Sequence, residues 1–418
     1  MMKKRSENKN PSVKILIGYH KPAVLVKDDV LTPIHLGRAL ATEASKDGEM
    51  SQEDFEWMCE NMIGDDTGDN ISHLNRYLNE LTGIYWAWKN YDKLGNPDYI
   101  GYMHYRRHFV FADHFAHMYN LDKHHSYFLN IKQQDDIYFS VINPKNFKKV
   151  ISDNDIIIPK LFKTNNYFFD CVKTDKENMK DYFSTFYPYS FFYDIYYCYL
   201  CKAREFKDNN SLLFDINSKP GHYPCNMFIL KKDIFFQYCD FLFNIVFNIF
   251  HDVKWLLKNE KDLFIVRGVA YISENITDIF LKYMIYRNCK YKQLYLSIIY
   301  NDMFGASDRV KNHLSYKIGM KFLKATNFMN IIKLPFAILS ICLKHKKDQA
   351  VYNSMIRVNP KLALFPLESY ADYNEALRIT NYLSYRLGNA FIKHPITFIF
   401  RIYGIYQKWK REKRGNEK

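Results

Sequence analysis

Residues 96–109 read NPDYIGYMHYRRHF, and this stretch decides the fold class. A turn at Asn96 and Pro97 leads into a short apolar run, Tyr99 to Met103, which ends abruptly in His104, Tyr105, Arg106, Arg107 and His108. Alternation puts Tyr99, Gly101 and Met103 on one face and Ile100, Tyr102 and His104 on the other. Both faces stay apolar until the end, the pattern of a strand covered on both sides in an α/β sheet. Such sheets bind ligands beyond the carboxyl ends of their strands. Two adjacent arginines there suit an anion, because the guanidinium fork matches phosphate oxygens. A strand end with two solvated arginines is the alternative that the local chemistry leaves open.

Upstream, residues 72–91 read as one amphipathic helix. Leu74, Leu78, Leu81, Tyr85 and Trp88 recur at three- and four-residue steps, Tyr77 and Ile84 fill the same stripe, and Ser72 serves as N-cap. Asn75, Asn79 and Glu80 fall off the stripe and read as a solvated face. Helix followed by strand supports a parallel arrangement. Nearer the start, KILIG (14–18) reads as a first buried strand, with Tyr19, His20, Lys21 and Pro22 in the loop after it. Residues 33–41 read as a short helix or irregular segment, and GDDTGD (64–69) as an acidic loop. Downstream, DIIIP (155–159) is a strand, 182–200 is partly helical, and GHYPCNMFIL (221–230) is a loop entering a strand. Residues 234–250 and 267–286 read as helices. No internal repeat is apparent. A change of charge marks a boundary near residue 305, giving a main domain over 13–305 and a basic, mostly helical region over 306–418.

At 418 residues and 48% hydrophobic content, the chain can bury one large core or two. The apolar run after the basic start is too short for a secretory leader, and no run of 18 uncharged apolar residues predicts a membrane span. Cys198 and Cys201 form a CxxC without a second pair, which reads as reduced thiols in a cytosolic protein rather than a zinc site. The net charge of +14 is uneven. Residues 309–347 hold nine Lys/Arg and no acid, and 386–418 hold nine against Glu412 and Glu417, so the main domain is close to neutral. That distribution argues against nucleic acid and suits a tail on an anionic membrane surface. Phe398, Ile402 and Ile405 on one helical side, with Arg401, Lys408 and Arg411 on another, and the apolar stretch 334–343 between lysines, supply interfacial helices for it.

Asp65, Asp66 and Asp69 allow either a divalent cation or electrostatic capping of the helix that follows; their spacing is not that of an EF-hand. His104 and His108 share a predicted strand face but lack a neighbouring carboxylate, a poor metal pair. His114, His117, His124 and His125 read as a surface cluster. There is no Walker A loop, no GxGxxG and no GxSxG, which removes the commonest ATPase, dehydrogenase and hydrolase readings.

GYHKP (18–22), PIHLGRALA (33–41), MIGDDTGDNIS (62–72), ELTGIYWAWKN (80–90) and DYIGYMHYRRHF (98–109) follow one another in order. DIIIPK, CNMFILKK (225–232) and RGVAYISENITDIFL (267–281) come after them. Together these motifs, over roughly residues 13 to 290, resemble the bacterial glycosyltransferase family formerly called domain of unknown function 4422. Its members are similar to capsular, exopolysaccharide and lipopolysaccharide galactosyl- or galactofuranosyltransferases. This sequence departs from the family's pattern at NRYLN before ELT and at SEN around Glu274, where the family more often has Glu-Arg.

The resemblance implies a GT-A-like, Rossmann-related α/β domain that binds a nucleotide sugar. It also implies that HYRR stands where many such enzymes carry an Asp-x-Asp metal motif, so a divalent metal (Mn²⁺ or Mg²⁺) is not favoured. The expected reaction moves a hexosyl residue, galactose or galactofuranose, from a UDP-sugar to a lipid-linked glycan in surface polysaccharide or lipooligosaccharide synthesis. The enzyme would be cytoplasmic and peripheral on the inner face of the cytoplasmic membrane. Arg106 and Arg107, with His104, would meet the charge of the leaving diphosphate, and Tyr19, His20 and Lys21 would line the nucleotide end of the first strand. Glu274 is the leading candidate for the base, ahead of Asp66 and Asp69. Asn226 and Met227 are candidates for acceptor or sugar contacts. A non-catalytic, membrane-surface scaffold of the same fold is the alternative.

Overall fold

The computed structural model describes residues 11–23, 25–41, 50–111, 126–129, 148–161, 189–299, 306–325, 327–358, 366–370 and 373–415. These fall into two compact units, one ending at Ile299 and one beginning at Ala306. The histidines from His114 to His125 lie outside the described residues.

The first unit is built on a ten-stranded mixed sheet. Its strands are β1 (Val13–Tyr19), β2 (Leu31–His35), β3 (Ile63–Gly64), β4 (Tyr99–His104), β5 (Arg107–Phe109), β6 (Ser126–Leu129), β7 (Ile156–Pro159), β8 (Phe228–Lys231), β9 (Tyr291–Leu294) and β10 (Leu296–Ile299). β3, β2, β1 and β4 are parallel neighbours. β8 runs antiparallel beside β4, with Tyr99 opposite Lys231 and Tyr102 opposite Phe228, and β7 and β9 extend the sheet from β8. Residues 99–103 of β4 are all buried, as the two-sided apolar pattern requires. Gly18 in β1 leaves room for the Tyr102 hydroxyl; a Cβ there would stand 2.1 Å from it.

Three local readings of the sequence are corrected. First, HYRR does not trail off a strand end. The chain turns at Tyr105 and Arg106 and returns as β5, with His104 opposite Arg107. His104 and His108 therefore sit on different strands. Second, residues 31–35 form a strand despite Pro33. Ile15 N–H donates to Val30 and Leu36 N–H to Tyr19, so the even-numbered residues of β2 face β1. Pro33 faces the other side, where β3 begins only opposite Ile34, so its missing N–H interrupts no ladder. Third, residues 72–91 are not one helix. A 3₁₀ turn (Ser72–Leu74) and a single α-turn (Asn75–Leu78) stop at Asn79, whose φ is 45°, and a new helix runs Leu81–Lys89. The cause is competition from side chains. Asn75 donates to the Asn79 carbonyl (2.8 Å), which a continuous helix would use, and to the Thr82 hydroxyl (3.0 Å). Ser72 is no N-cap; its hydroxyl donates to Asp65 at 2.5 Å.

Helices cover the sheet. Lys232–Leu257 is long and apolar enough to cross a membrane (mean hydropathy 1.2), but Phe235, Tyr238, Leu242, Val246 and Ile249 along it lie in the core. With Tyr189–Lys202 and Gly268–Tyr286 it contributes to one aromatic-rich cluster.

The second unit contains a duplication. Residues 309–324, RVKNHLSYKIGMKFLK, and 378–393, RITNYLSYRLGNAFIK, agree at eight of sixteen positions. Each copy spans a short helix and a longer one, Ala306–Lys311 with Leu314–Lys324 and Tyr373–Thr380 with Leu383–Lys393. Each leads into a further helix, Phe328–Val358 in the first copy and Phe398–Gly415 in the second. The contacts between copies are reciprocal. A Cβ on Gly319 would meet the Ser384 carbonyl at 1.6 Å, and one on Gly388 would meet the Ser315 carbonyl at 1.7 Å. Phe322 packs edge-on against its counterpart Phe391, ring centroids 5.3 Å apart. Val310 and Ile379 share one core, with Tyr316 and Tyr385 packed on it. Residue i meeting j′ while j meets i′ is the signature of a two-fold relation. The sequence reading missed the repeat because there are only two copies, 69 residues apart, outside the 20–50-residue periods of familiar arrays.

The tail stripe is corrected as well. Phe398 is 3% exposed and packs with Leu383 and Leu387, and Ile405 and Trp409 join that cluster. That side of the helix faces its own unit.

Candidate functional site

Because β1, β2, β3 and β4 are parallel, their carboxyl ends at Tyr19, His35, Gly64 and His104 share one edge of the sheet. β8 is antiparallel to β4, so the loop before it, residues 221–227, enters at the same edge. The topology thus gathers most of the predicted residues where open α/β sheets bind ligands.

The Gly268–Tyr286 helix shapes that loop through one polar stripe. Ser273, Glu274, Thr277, Asp278 and Lys282 recur at three- and four-residue steps and all reach it. Lys282 donates to the Gly221 carbonyl (2.8 Å) and pairs with Asp278 (2.7 Å), both buried. Asp278 accepts from Tyr223 N–H (2.8 Å), and Glu274 accepts from Cys225 N–H (2.9 Å). Thr277 donates to the Asn226 side-chain oxygen at 2.6 Å, and the Asn226 amide donates to Ser273 at 3.1 Å. These bonds hold Cys225 (φ 70°) and Asn226 (φ 50°) in consecutive left-handed conformations, which non-glycine residues adopt only under such constraint.

The clamped loop meets the other strand ends. The Cys225 carbonyl accepts from His104 Nε2 at 2.6 Å, so this nitrogen carries the proton. Burial, then the charge of Arg107, push His104 down to about 3, and the ring is neutral at physiological pH. The second amide hydrogen of Asn226 goes to Glu80 Oε1 at 2.8 Å. Burial first and the Glu274 charge second push Glu80 up to about 7, while Asn226 and Arg107 pull it back. Tyr271 and Arg267, at the start of the same helix, lie beside this carboxylate pair, and burial raises the Tyr271 phenol. The Cys225 thiol is pushed up to about 12, chiefly by burial, and is no nucleophile at neutral pH.

Not all predicted residues join this cluster. Glu274, His104 and Arg107 are brought together. Arg106 is exposed on the turn, its guanidinium 5.1 Å over the Tyr105 ring. His20 stands edge-on to the same ring at 5.2 Å, and Lys21 follows it on the loop. Tyr19 is buried, its ring 5.8 Å from Tyr105 and its hydroxyl accepting from Val26 N–H. Asn226 has both amide hydrogens and its oxygen engaged within the protein, so it positions the loop. Met227, 1% exposed, belongs to the core. Asp65 is a buried hub that accepts from Gly37 N, Arg38 N, Ser72 and Thr82, a structural role. Asp66 faces Arg38 at 3.9 Å, and Asp69 accepts from Tyr85. Asn275, next to Glu274, donates to the Tyr196 hydroxyl. Among the described residues no three His, Cys, Asp or Glu side chains converge as a metal site.

Glu80 is the residue the sequence reading missed. It read as solvated because it lies off the stripe of a continuous helix; with the break at Asn79 it meets Asn226 instead. The available signal was the cluster of Asn75, Asn79 and Thr82, all weak helix formers, just around it.

Comparison with known proteins fits this architecture. The sequence profile of a domain of unknown function, DUF4422, matches residues 14–287, and that of a second, DUF8374, matches residues 251–417. No curated protein matches the sequence. Among solved structures, the apo form of the WbbM bifunctional glycosyltransferase is similar, with a TM-score of 0.55 at 22% identity. The likeness covers 78% of this chain and 57% of that one, so this chain spans little more than half of its length. At this identity the likeness is one of fold. With residues 14–287 matched to its profile, the chain belongs to the DUF4422 family.

Proposed function

We propose that the chain is a glycosyltransferase that moves a hexosyl residue, galactose or galactofuranose, from a UDP-sugar to a lipid-linked glycan in surface polysaccharide or lipooligosaccharide synthesis. The observation that carries this reading is the cluster of titratable side chains gathered at one edge of the sheet. A carboxylate pair, Glu80 and Glu274, stands beside the neutral His104 and the cationic Arg107 at the carboxyl edge of four parallel strands. The shared fold with a glycosyltransferase supports it. The parallel run β3-β2-β1-β4 bordered by antiparallel β8 suits a GT-A-like nucleotide-sugar domain.

The chemistry follows from the charges. An acceptor hydroxyl attacks the anomeric carbon, the bond from that carbon to the diphosphate oxygen breaks, and the hydroxyl proton goes to a carboxylate. Glu274 spends one oxygen on Cys225 N–H, so it both shapes the loop and charges the site. Glu80, poised near neutrality by burial and by Glu274, suits the proton acceptor. The Glu274 charge beside it helps to raise Glu80, so Glu80 takes the proton and Glu274 sets its basicity. Arg107, with Arg106, His20 and Lys21 near the same edge, meets the charge that builds on the diphosphate. No Asp-x-Asp stands at this strand end, so the arginines take the part a divalent ion plays elsewhere. Transfer is therefore expected to survive EDTA; activity that EDTA abolishes and Mn²⁺ restores would refute the arginine role.

The decisive test is a screen of UDP-sugars with and without lipid-linked acceptors, reading UDP release and then product linkage. UDP release that depends on acceptor, with a new glycosidic bond, is the expected result. Nucleotide binding without turnover on any donor would instead favour a non-catalytic scaffold.

A further inference from the structure

The helix that follows each half of the duplicated unit presents large apolar side chains to solvent. On Phe328–Val358, Met329, Ile332, Phe336, Leu339 and Leu343 recur at alternating steps of three and four, so they form one stripe; Phe336 is 75% exposed. On and just before Phe398–Gly415, Ile396, Ile399, Phe400 and Tyr403 form a second stripe on the side not packed against Leu383 and Leu387; Phe400 is 86% exposed. Each stripe lies on the helix that follows one half of the duplication. Apolar patches of this extent mark interaction surfaces.

Charge identifies the occupant. Lys333 lies one turn from Met329, and Lys346 and Lys347 lie one turn beyond Leu343, bordering the first stripe. Lys408, Lys410, Arg411, Lys413 and Arg414 follow the second, and Glu412 among them is paired with Arg386 at 2.5 Å. From 309 to 347 there is no acidic residue at all. Self-association through these stripes would set lysine against lysine. The first stripe spans only two heptads and contains Pro335, short of a stable coiled-coil seam. We propose that these two apolar stripes with their lysine and arginine borders dock this unit on an anionic lipid surface, inserting between headgroups while the cations meet lipid phosphates. Tyr403 suits the headgroup level, and Phe336 and Phe400 suit the acyl boundary beneath it. This deepens the lipid-linked acceptor reading above, since docking would concentrate the enzyme at its acceptor. It is a different face from the Phe398–Ile405 side that periodicity alone had suggested.

The test uses the full chain and vesicles, and needs neither nucleotide nor turnover, so it stands or falls apart from glycosyl transfer. The protein should cosediment with phosphatidylglycerol-containing vesicles, not with pure phosphatidylcholine, and high salt should weaken binding. Phe336→Ser with Leu339→Ser, and Phe400→Ser with Tyr403→Ser, should each lower vesicle affinity at least tenfold; all four together should abolish it. These side chains are exposed, so the circular dichroism melt should not move. If it does, Lys346→Glu with Lys347→Glu gives the same reading without touching an apolar residue, by an affinity loss on anionic vesicles alone. Undiminished binding of the charge variant and of whichever serine variants stay folded would overturn the proposal, as would equal binding to phosphatidylcholine. A lipid-free dimer dissolved by the fourfold substitution would assign the stripes to a second copy and overturn it too.

Discussion

The two units hold their helices by opposite means. In the first, the Gly268–Tyr286 helix grips residues 221–227 through five polar side chains, each satisfied by a specific backbone or amide group. In the second, Leu314–Lys324 and Leu383–Lys393 meet at Gly319 and Gly388 with almost nothing between their backbones. The first arrangement leaves titratable groups buried and their protonation shifted, which is the raw material of chemistry. The second rests mainly on close packing of backbones and apolar side chains, while the helices that follow it carry large apolar side chains outward. Chemistry is therefore expected in the first unit and surface attachment in the second.

The largest separation should come from acid. His35, His104, His108 and His222, all in the first unit, are each held down to about 3, with burial the first cause. A depressed folded value means that stability is present above 6.5 and is lost as pH falls toward 3. Each such histidine removes about 1.4 kcal/mol per pH unit below 6.5. Glu80, raised to about 7, works in the opposite sense but binds a single proton. Denaturant titrations from pH 7 to 4.5 should show the first unit losing several kcal/mol while the second, where burial lowers His313, loses less. Parallel losses in both would break the contrast.

Next in size is Glu274→Gln. It should keep the Cys225 contact through the amide oxygen yet lower single-turnover transfer at least about 100-fold, roughly 2.7 kcal/mol. A rate near wild type would remove the carboxylate pair from the mechanism. In the second unit, Gly319→Ala or Gly388→Ala should cost about 2 kcal/mol, because a methyl cannot enter a gap under 2 Å and the helices must part. Domain-resolved melts should show the loss there, with UDP affinity intact; an equal loss of UDP binding would mean the units are not independent.

Glu80→Gln sharpens the comparison from the other side. A raised folded value means ionised Glu80 destabilises the fold as pH rises from 4.5 through 7. The glutamine variant should be more stable than wild type at pH 8 by about 3 kcal/mol, equal to it below pH 4.5, and slower in transfer. Stability that falls at pH 8 would show that the buried charge is well compensated. The smallest effects separate two neighbours. Arg107→Ala should lower turnover at least about tenfold, about 1.4 kcal/mol, with Arg107→Lys only a partial rescue for want of the fork. Arg106→Ala, stacked on Tyr105 at the surface, should lower it only about threefold. Equal losses at both would restore the reading of a joined arginine pair.

Much of this was legible along the chain. Alternation and two-sided apolarity located β1, β4 and β7, and helical periodicity located the helices beginning at Lys232 and Gly268, because those signals are set by residues two to four apart. Ordered motifs pointed to a glycosyltransferase-like α/β family and to Glu274, His104 and Arg107. Pro33 and the broken helix at Asn79 were misread for one reason: whether a missing donor or a competing side chain matters depends on what lies across from it.

What the sequence determined, then, was the kind of each element and the uneven distribution of charge, both properties of neighbours. What only tertiary structure decided was which residues meet. Glu80 and Glu274 are 194 positions apart in the chain and become one charged pair only when residues 221–227 are clamped between their elements. The Phe398–Gly415 helix reveals its outward face only once Leu383 and Leu387 have taken Phe398 inward. Periodicity specifies that a helix has an apolar face, but a helix with two such faces needs a partner to choose which is buried.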